Sequence, residues 1–139
     1  QRQWCIKGSV DAVQYIADEL LPVLPDLPKL RSAALHPTCS STRMSWNDAL
    51  YRCAQAIVDD VVVADDWGCC GFAGDRGMLH PELTESATAR ETAQLRAREF
   101  DVYLSANRTC EIGMQRATGK SWRHVLSVLA ERMVEFAPA

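Results

Sequence analysis

At 139 residues, with 47% hydrophobic and 24% charged side chains, the chain suits one globular domain with a core of its own. A net charge of −3 leaves no basic footprint, which argues against nucleic acid as a partner. The longest purely apolar run, Val61-Val62-Val63-Ala64, is too short to cross a bilayer, and no charged start followed by an apolar run marks a secretory signal.

The first predicted helix covers Ser9 to Leu21, with Val10, Val13, Ile16, Ala17, Leu20 and Leu21 on one face and Ser9 as its N-cap. Pro22, Pro25 and Pro28 then enforce an extended connection. Residues 1–30 thus read as an N-terminal helix and Pro-rich connector, and residues 31–139 as a cysteine-rich α/β domain. The chain opens on Gln1 rather than Met, which reads as part of a larger or processed protein.

Ser32–Leu35 is a short strand that exits into His36-Pro37-Thr38-Cys39. A second helix follows, with Leu50, Cys53, Ala54 and Ile57 inward and Asn47 or Ser45 near its start. Val61–Ala64 is the clearest strand, and it exits into Asp65-Asp66-Trp67-Gly68-Cys69-Cys70-Gly71. Pro81 to Arg98 reads as an exposed polar helix, with Pro81 in the first turn and Glu82 at its N-terminus. Phe100–Leu104 is a third strand, leading to Asn107-Arg108-Thr109-Cys110. The last helix carries Trp122, Val125, Leu126, Leu129, Met133 and Phe136 at helical spacing, with Ser121 as N-cap. The alternation predicts an α/β fold, a short parallel sheet flanked by helices.

Cys39, the Cys69-Cys70 pair and Cys110 each follow a predicted strand. In a parallel sheet such loops share the carboxyl edge of the strands, where open α/β sheets bind ligands. The four thiols are therefore expected to meet. Six cysteines in a chain that builds its own core suggest metal or redox chemistry more than a disulfide framework. Converging thiols serve iron–sulfur clusters, structural zinc or disulfides. A vicinal pair is awkward for a single zinc ion, because neighbouring side chains in extended backbone point apart. A redox-active disulfide is the weakest of the three, since such pairs are usually Cys-x-x-Cys at a helix start. Cys53, on an apolar helix face, reads as a core residue, and Cys5 carries no pattern.

The order Cys39, twenty-nine residues, Cys69-Cys70-Gly71, thirty-nine residues, Cys110-Glu111-Ile112-Gly113 resembles the cysteine-rich CCG domain. That domain occurs in heterodisulfide reductase subunits, glycolate oxidase iron–sulfur subunits and lactate-utilisation proteins. The blocks His36-Pro37-Thr38-Cys39-Ser40, Trp67 to Gly77, His80-Pro81-Glu82-Leu83-Thr84 and Arg108 to Gly113 look more specifically like the C-terminal part of FAD-linked D-lactate dehydrogenases. The likeness covers roughly residues 30 to 130. It implies an iron–sulfur electron-transfer module in a 2-hydroxyacid dehydrogenase, with Cys39, Cys69, Cys70 and Cys110 as metal ligands. FAD would sit in a flavin domain of the same or a partner chain and not on these residues. The implied location is cytoplasmic, with the parent protein peripheral to the inner membrane face. Gly113 stands where the pattern has its last cysteine, and one copy of an often duplicated region is present. Both departures point to ligands from outside the chain, or to a chain that holds no metal.

His36 and His80 flank the cysteine motifs, where they could ligate metal, tune a cluster or relay protons; hydrogen bonding to loop backbone before each proline is the preferred reading. Asp75, Arg76 and Arg108 lie on the same predicted edge, where a guanidinium could offset cluster charge or bind a carboxylate. His124, inside the last predicted helix, reads as a packing or surface residue. No G-x-G-x-x-G follows a strand, so nucleotide binding is weakly supported. The alternative function is a structural zinc-binding or metal-free docking domain for a partner flavoprotein.

Overall fold

Short runs of small and β-branched residues form the strands, and each is followed by a helix that covers it. A computed structural model describes residues 9–136; Cys5 lies outside them. The strands are β1 (Leu30–Leu35), β2 (Val58–Val62), β3 (Val102–Ser105) and β4 (Trp122–His124). All pair in parallel, in the order β2-β1-β3-β4, so the α/β expectation holds. Helices in chain order are α1 (Ala12–Tyr15), α2 (Cys39–Arg43), α3 (Asn47–Gln55), α4 (Arg76–Leu79), α5 (Pro81–Leu95), α6 (Arg108–Thr118) and α7 (Val125–Phe136).

Strand alternation divides the core in two. Ala33 and Leu35 of β1, with Val102 and Leu104 of β3, face a cluster that includes Leu50, Cys53, Ile57, Val125 and Leu129. Ala34 and Tyr103 face the other way, toward Leu95, Met114 and Trp122. The next residue of the same phase, just past the end of β1, is His36. Its backbone N–H still donates to Leu104 O at 2.9 Å, so the ring is delivered to the face covered by α5 and α6.

Several boundaries differ from the sequence reading, each for a local reason. Asp11, not Ser9, caps the first helix by accepting from the Val13 N–H. After one turn that helix widens into a π-turn over Ile16–Leu20 and tightens into a 3₁₀ turn over Leu21–Val23, where Pro22 sits in the first turn. Val10 is exposed, while Val13 and Ala17 join the core. The β2 ladder runs three residues ahead of the apolar run, because Leu30, Ser32, Ala33 and Ala34 pair with Val58, Asp60, Val61 and Val62. Trp122–His124 is a strand rather than the start of the last helix; Tyr103, Leu104 and Ser105 register it against β3. His124 therefore ends a strand, and its Nδ1 accepts from the Leu126 N–H at the start of α7. A separate helix, α6, precedes β4 and closes on Gly119 in the left-handed region.

Cys53 is a core residue as expected. It has no exposed surface, its thiol donates to Val13 O, and burial pushes the thiol up to about 11. We expect Cys53 to stay unmodified by iodoacetamide at pH 8 until the protein is denatured. Mass spectrometry of digested native and denatured samples reads this directly; native labelling of Cys53 would contradict the packing.

Candidate metal centre

The order β2-β1-β3-β4 reverses direction after β1, so the connections leave β1 and β3 on opposite sides. That reversal opens a crevice at the carboxyl ends of these two strands. Ser105, the last residue of β3, donates its hydroxyl to His36 O across this gap at 3.1 Å. The loop after β2 then brings in the vicinal cysteines.

Each cysteine is positioned by a different device. Thr38 caps α2 in a reciprocal capping box with Ser41, which fixes Cys39 as the first helical residue. Asn107 caps α6 by accepting from the Thr109 N–H, which sets Cys110 in its first turn rather than in a loop. Cys70 is held by its own loop: Gly71 turns at φ +68°, and the following Phe72 is completely buried. The Phe72 N–H then stabilises the Cys70 thiolate.

The four thiols fall into two pairs, Cys70 with Cys110 and Cys39 with Cys69. Cys70 and Cys110 are buried, with sulfurs 3.1 Å apart, well beyond the ~2.05 Å of a disulfide. Cys39 and Cys69 are exposed above them. Partial burial and then hydrogen bonding to Cys69 push the Cys39 thiol up to about 11. The Cys69 sulfur also accepts from the Gly71 N–H.

Beneath the thiols lies a residue whose role the sequence reading placed elsewhere. His36 is fully buried, and its ring bonds no loop backbone. Nδ1 lies 2.8 Å from Oε1 of Glu91, itself 1% exposed on α5. Trp122 meets the imidazole edge-on at 6.3 Å. One ring nitrogen of His36 and the sulfurs of Cys70 and Cys110 all lie within 4.8 Å of one another, close enough to share a metal ion. Nδ1 is taken by Glu91, and Nε2 is buried without a directed hydrogen bond. The Cys70 sulfur is the neighbour that interacts with the ring on its other side.

The charges in this group are mutually dependent. Hydrogen bonding from Cys110 is the main influence on Cys70; it and the His36 contact override burial and hold the thiol down at about 4. Cys110 is driven strongly upward, first by that hydrogen bond and then by burial, so it keeps the proton. Burial disfavours the imidazolium of His36, but Cys70 and Glu91 together outweigh it and hold the ring at about 9.

Folding therefore moves a proton from Cys70 to His36. Cys70 contributes stability fully above pH 9.0 and loses it as pH falls toward 4; His36 contributes fully below pH 6.5 and loses it as pH rises toward 9. Between pH 6.5 and 9.0 the two slopes cancel, and below pH 6.5 the loss from Cys70 stands alone. We expect the metal-free wild type to lose more stability than Cys70→Ser between pH 6.5 and 4.5, read from urea midpoints. Parallel profiles would mean that Cys70 is not the thiolate.

The other sequence candidates stand apart from this group. His80 is exposed and pairs with Glu82 at 3.0 Å, and Asp75 and Arg76 are exposed beside it along a surface groove. Arg108 is exposed and donates to Glu111 on its own helix at 2.9 Å. Gly113 faces inward: a Cβ there would lie 3.7 Å from Cys70 Cβ, 3.4 Å from the Phe72 ring and 3.2 Å from Thr84 Cγ2. The missing cysteine position thus points at the site. Two buried thiols beside a buried imidazole form a soft donor set that fits thiolate-held metals.

Among the described residues no helix is long and apolar enough to cross a membrane. A family profile described as the cysteine-rich CCG domain matches residues 33–115, more than half of the chain. No curated protein and no solved structure matches it.

Proposed function

From the premise that the chain belongs to the cysteine-rich CCG domain family, we propose that it is the iron–sulfur electron-transfer module of an FAD-linked D-lactate or related 2-hydroxyacid dehydrogenase. The observation that carries the reading is the gathering of Cys70, Cys110 and His36 at the sheet's crevice, with Cys39 and Cys69 as an exposed pair electrostatically coupled to them. Cys39, Cys69, Cys70 and Cys110 would hold the cluster, with residues 31–139 as the unit that carries it and residues 1–30 as the connector. When bound, the cluster stores and passes on single electrons taken from a flavin domain outside these residues.

The chain's own contributions follow from its geometry. Cys70 is already a thiolate, so one ligand needs no deprotonation; Cys110 must give up its proton on loading. The Phe72 N–H and the burial of Cys70 and Cys110 set hydrogen bonding and dielectric on the inner side, two of the levers on a cluster's potential. Exposed Cys39 and Cys69 leave the outer side open to a partner. The location proposed for the parent is the cytoplasmic side, peripheral to the membrane.

The second reading is a structural zinc site, favoured specifically by the single imidazole beside the thiols, since thiolate-plus-histidine sets are common for zinc. Iron, acid-labile sulfide and zinc per chain after anaerobic reconstitution, read beside the visible spectrum, separate the two. Stoichiometric iron and sulfide with a broad visible band are expected, falling sharply in Cys70→Ser while that variant stays folded. Zinc alone, with no iron or sulfide retained, would put the structural reading in its place.

A further inference from the structure

Resting on the reading that the thiols hold a metal, we propose that His36 Nε2 is itself a ligand and that Glu91 is the residue that positions it.

Three independent observations carry this. Nε2 is sealed inside the protein against the Cys70 sulfur, so a metal held by that sulfur would lie within its reach. It belongs to a residue with a ring nitrogen within 4.8 Å of two thiols that already form a pair. The opposite nitrogen, Nδ1, is fixed at 2.8 Å by the Glu91 carboxylate on α5, the arrangement by which proteins orient metal-ligating histidines, and Nε2 would give up its proton on metal binding. Glu91 has no other hydrogen-bond partner shown in the site and is buried at 1% exposure on an otherwise polar helix, which is hard to explain by solvation. The Trp122 edge contact and the Ser105-to-His36 O hydrogen bond restrain the ring and its backbone from the sheet side. Cys70, Cys110 and His36 thus come from three different segments, and one more thiol from Cys39 or Cys69 completes a sulfur-rich set with one nitrogen.

Gly113 supplies the reciprocal argument. Its absent side chain would project toward Cys70, so a thiol there would stand beside the Cys70 sulfur. A cysteine at 113 would crowd Thr84 Cγ2 at 3.2 Å, and Thr84→Ser removes that methyl group.

Cobalt(II) is the probe, titrated anaerobically into the reduced, metal-free chain and followed by its sulfur-to-cobalt charge-transfer and d–d bands. The wild type is expected to show tetrahedral cobalt with three sulfurs and one nitrogen. Glu91→Gln should weaken cobalt binding by about 10- to 100-fold, the range for residues that orient a ligand. His36→Ala should weaken it at least as much. Gly113→Cys/Thr84→Ser in the His36→Ala background should restore affinity with a four-sulfur spectrum. Thermal melts of the metal-free variants identify any that fail to fold; for those, ¹⁵N-histidine spectra of the zinc-loaded wild type decide, by whether the His36 Nε2 resonance shifts on metal addition. Four-sulfur cobalt in the wild type, with affinity unchanged in His36→Ala or Glu91→Gln, overturns the inference while leaving the cysteine site intact. Absence of thiolate charge transfer in the wild type overturns the inference and the metal-centre reading together. Failure to build an iron cluster with cobalt still bound through His36 removes only the iron–sulfur assignment.

Discussion

Replacing Glu91 by alanine is expected to cost the metal-free domain about 3–5 kcal/mol, the loss typical when one partner of a buried ion pair is removed. Glu91 and His36 are both sealed from solvent, and their side chains meet at 2.8 Å. Truncation leaves the imidazole facing a gap on one side and the Cys70 sulfur on the other. The ring must then lose its proton or remain an uncompensated charge. Urea unfolding of metal-free protein at pH 7 measures the loss. Glu85→Ala, on an exposed position of the same helix, is the control and should change stability by no more than about 0.5 kcal/mol. A loss below about 1 kcal/mol for Glu91→Ala would mean that the pair is not a buried ion pair.

Gly71→Val should also be severe. Gly71 turns at φ +68°, and a non-glycine residue held there costs about 1–3 kcal/mol, with a β-branched one at the upper end. A Cβ would in addition stand 2.7 Å from Leu83 O and 2.7 Å from Ala87 Cβ. The carbonyl is backbone and cannot swing aside, so overpacking adds about 1–3 kcal/mol more. The loop would relieve the clash by pulling away from α5 and carrying Cys70 with it. We therefore expect a lowered urea midpoint together with faster iodoacetamide labelling of Cys70 in the metal-free protein. Gly74→Val, which has the same handedness at φ +72° but open space around its Cβ, should show the strain without the exposed thiol. If both variants behave alike, the close approach to α5 is not what holds Cys70 inside.

The convergence of the thiols could be read in the sequence because it depends only on topology: strands in parallel put their exits on one edge, whatever the strand limits. Errors of two or three residues in β2 left Cys69 and Cys70 in the same loop. Glu91 could not be read that way. Along Pro81–Leu95 the inward positions are Thr84, Thr88, Glu91, Thr92 and Leu95, a helical period written almost wholly in polar residues. A hydrophobicity pattern sees a solvated helix there. The signal that remained was the excess of threonines, residues with no reason to gather on an exposed helix face. Trp122–His124 was lost for a related reason. Three residues are too few to show alternation, and Val125, Val128 and Leu129 extend a helical spacing backward through Trp122. The roles of Asp75, Arg76 and His80 were inferred from nearness in sequence to Cys70. The left-handed residues Gly71, Ala73 and Gly74 instead turn the chain out to the surface before it reaches them.

The phase of β1 has a consequence for how this protein can change over generations. Ala33 and Leu35 fill one side of the sheet, while Ala34 and His36 serve the other, and one pleat decides which is which. Deleting a single residue within Leu30–Leu35 would trade the occupants of the two faces. Leucine would arrive among the thiols, and the imidazole, with its need for a carboxylate, would enter the aliphatic core beside Leu50 and Ile57. No sequence of small repairs lies between those two arrangements. Length variation in this lineage should accordingly collect in the stretches around Asp26 and Asp66, and β1 should keep its count of residues even where its composition drifts.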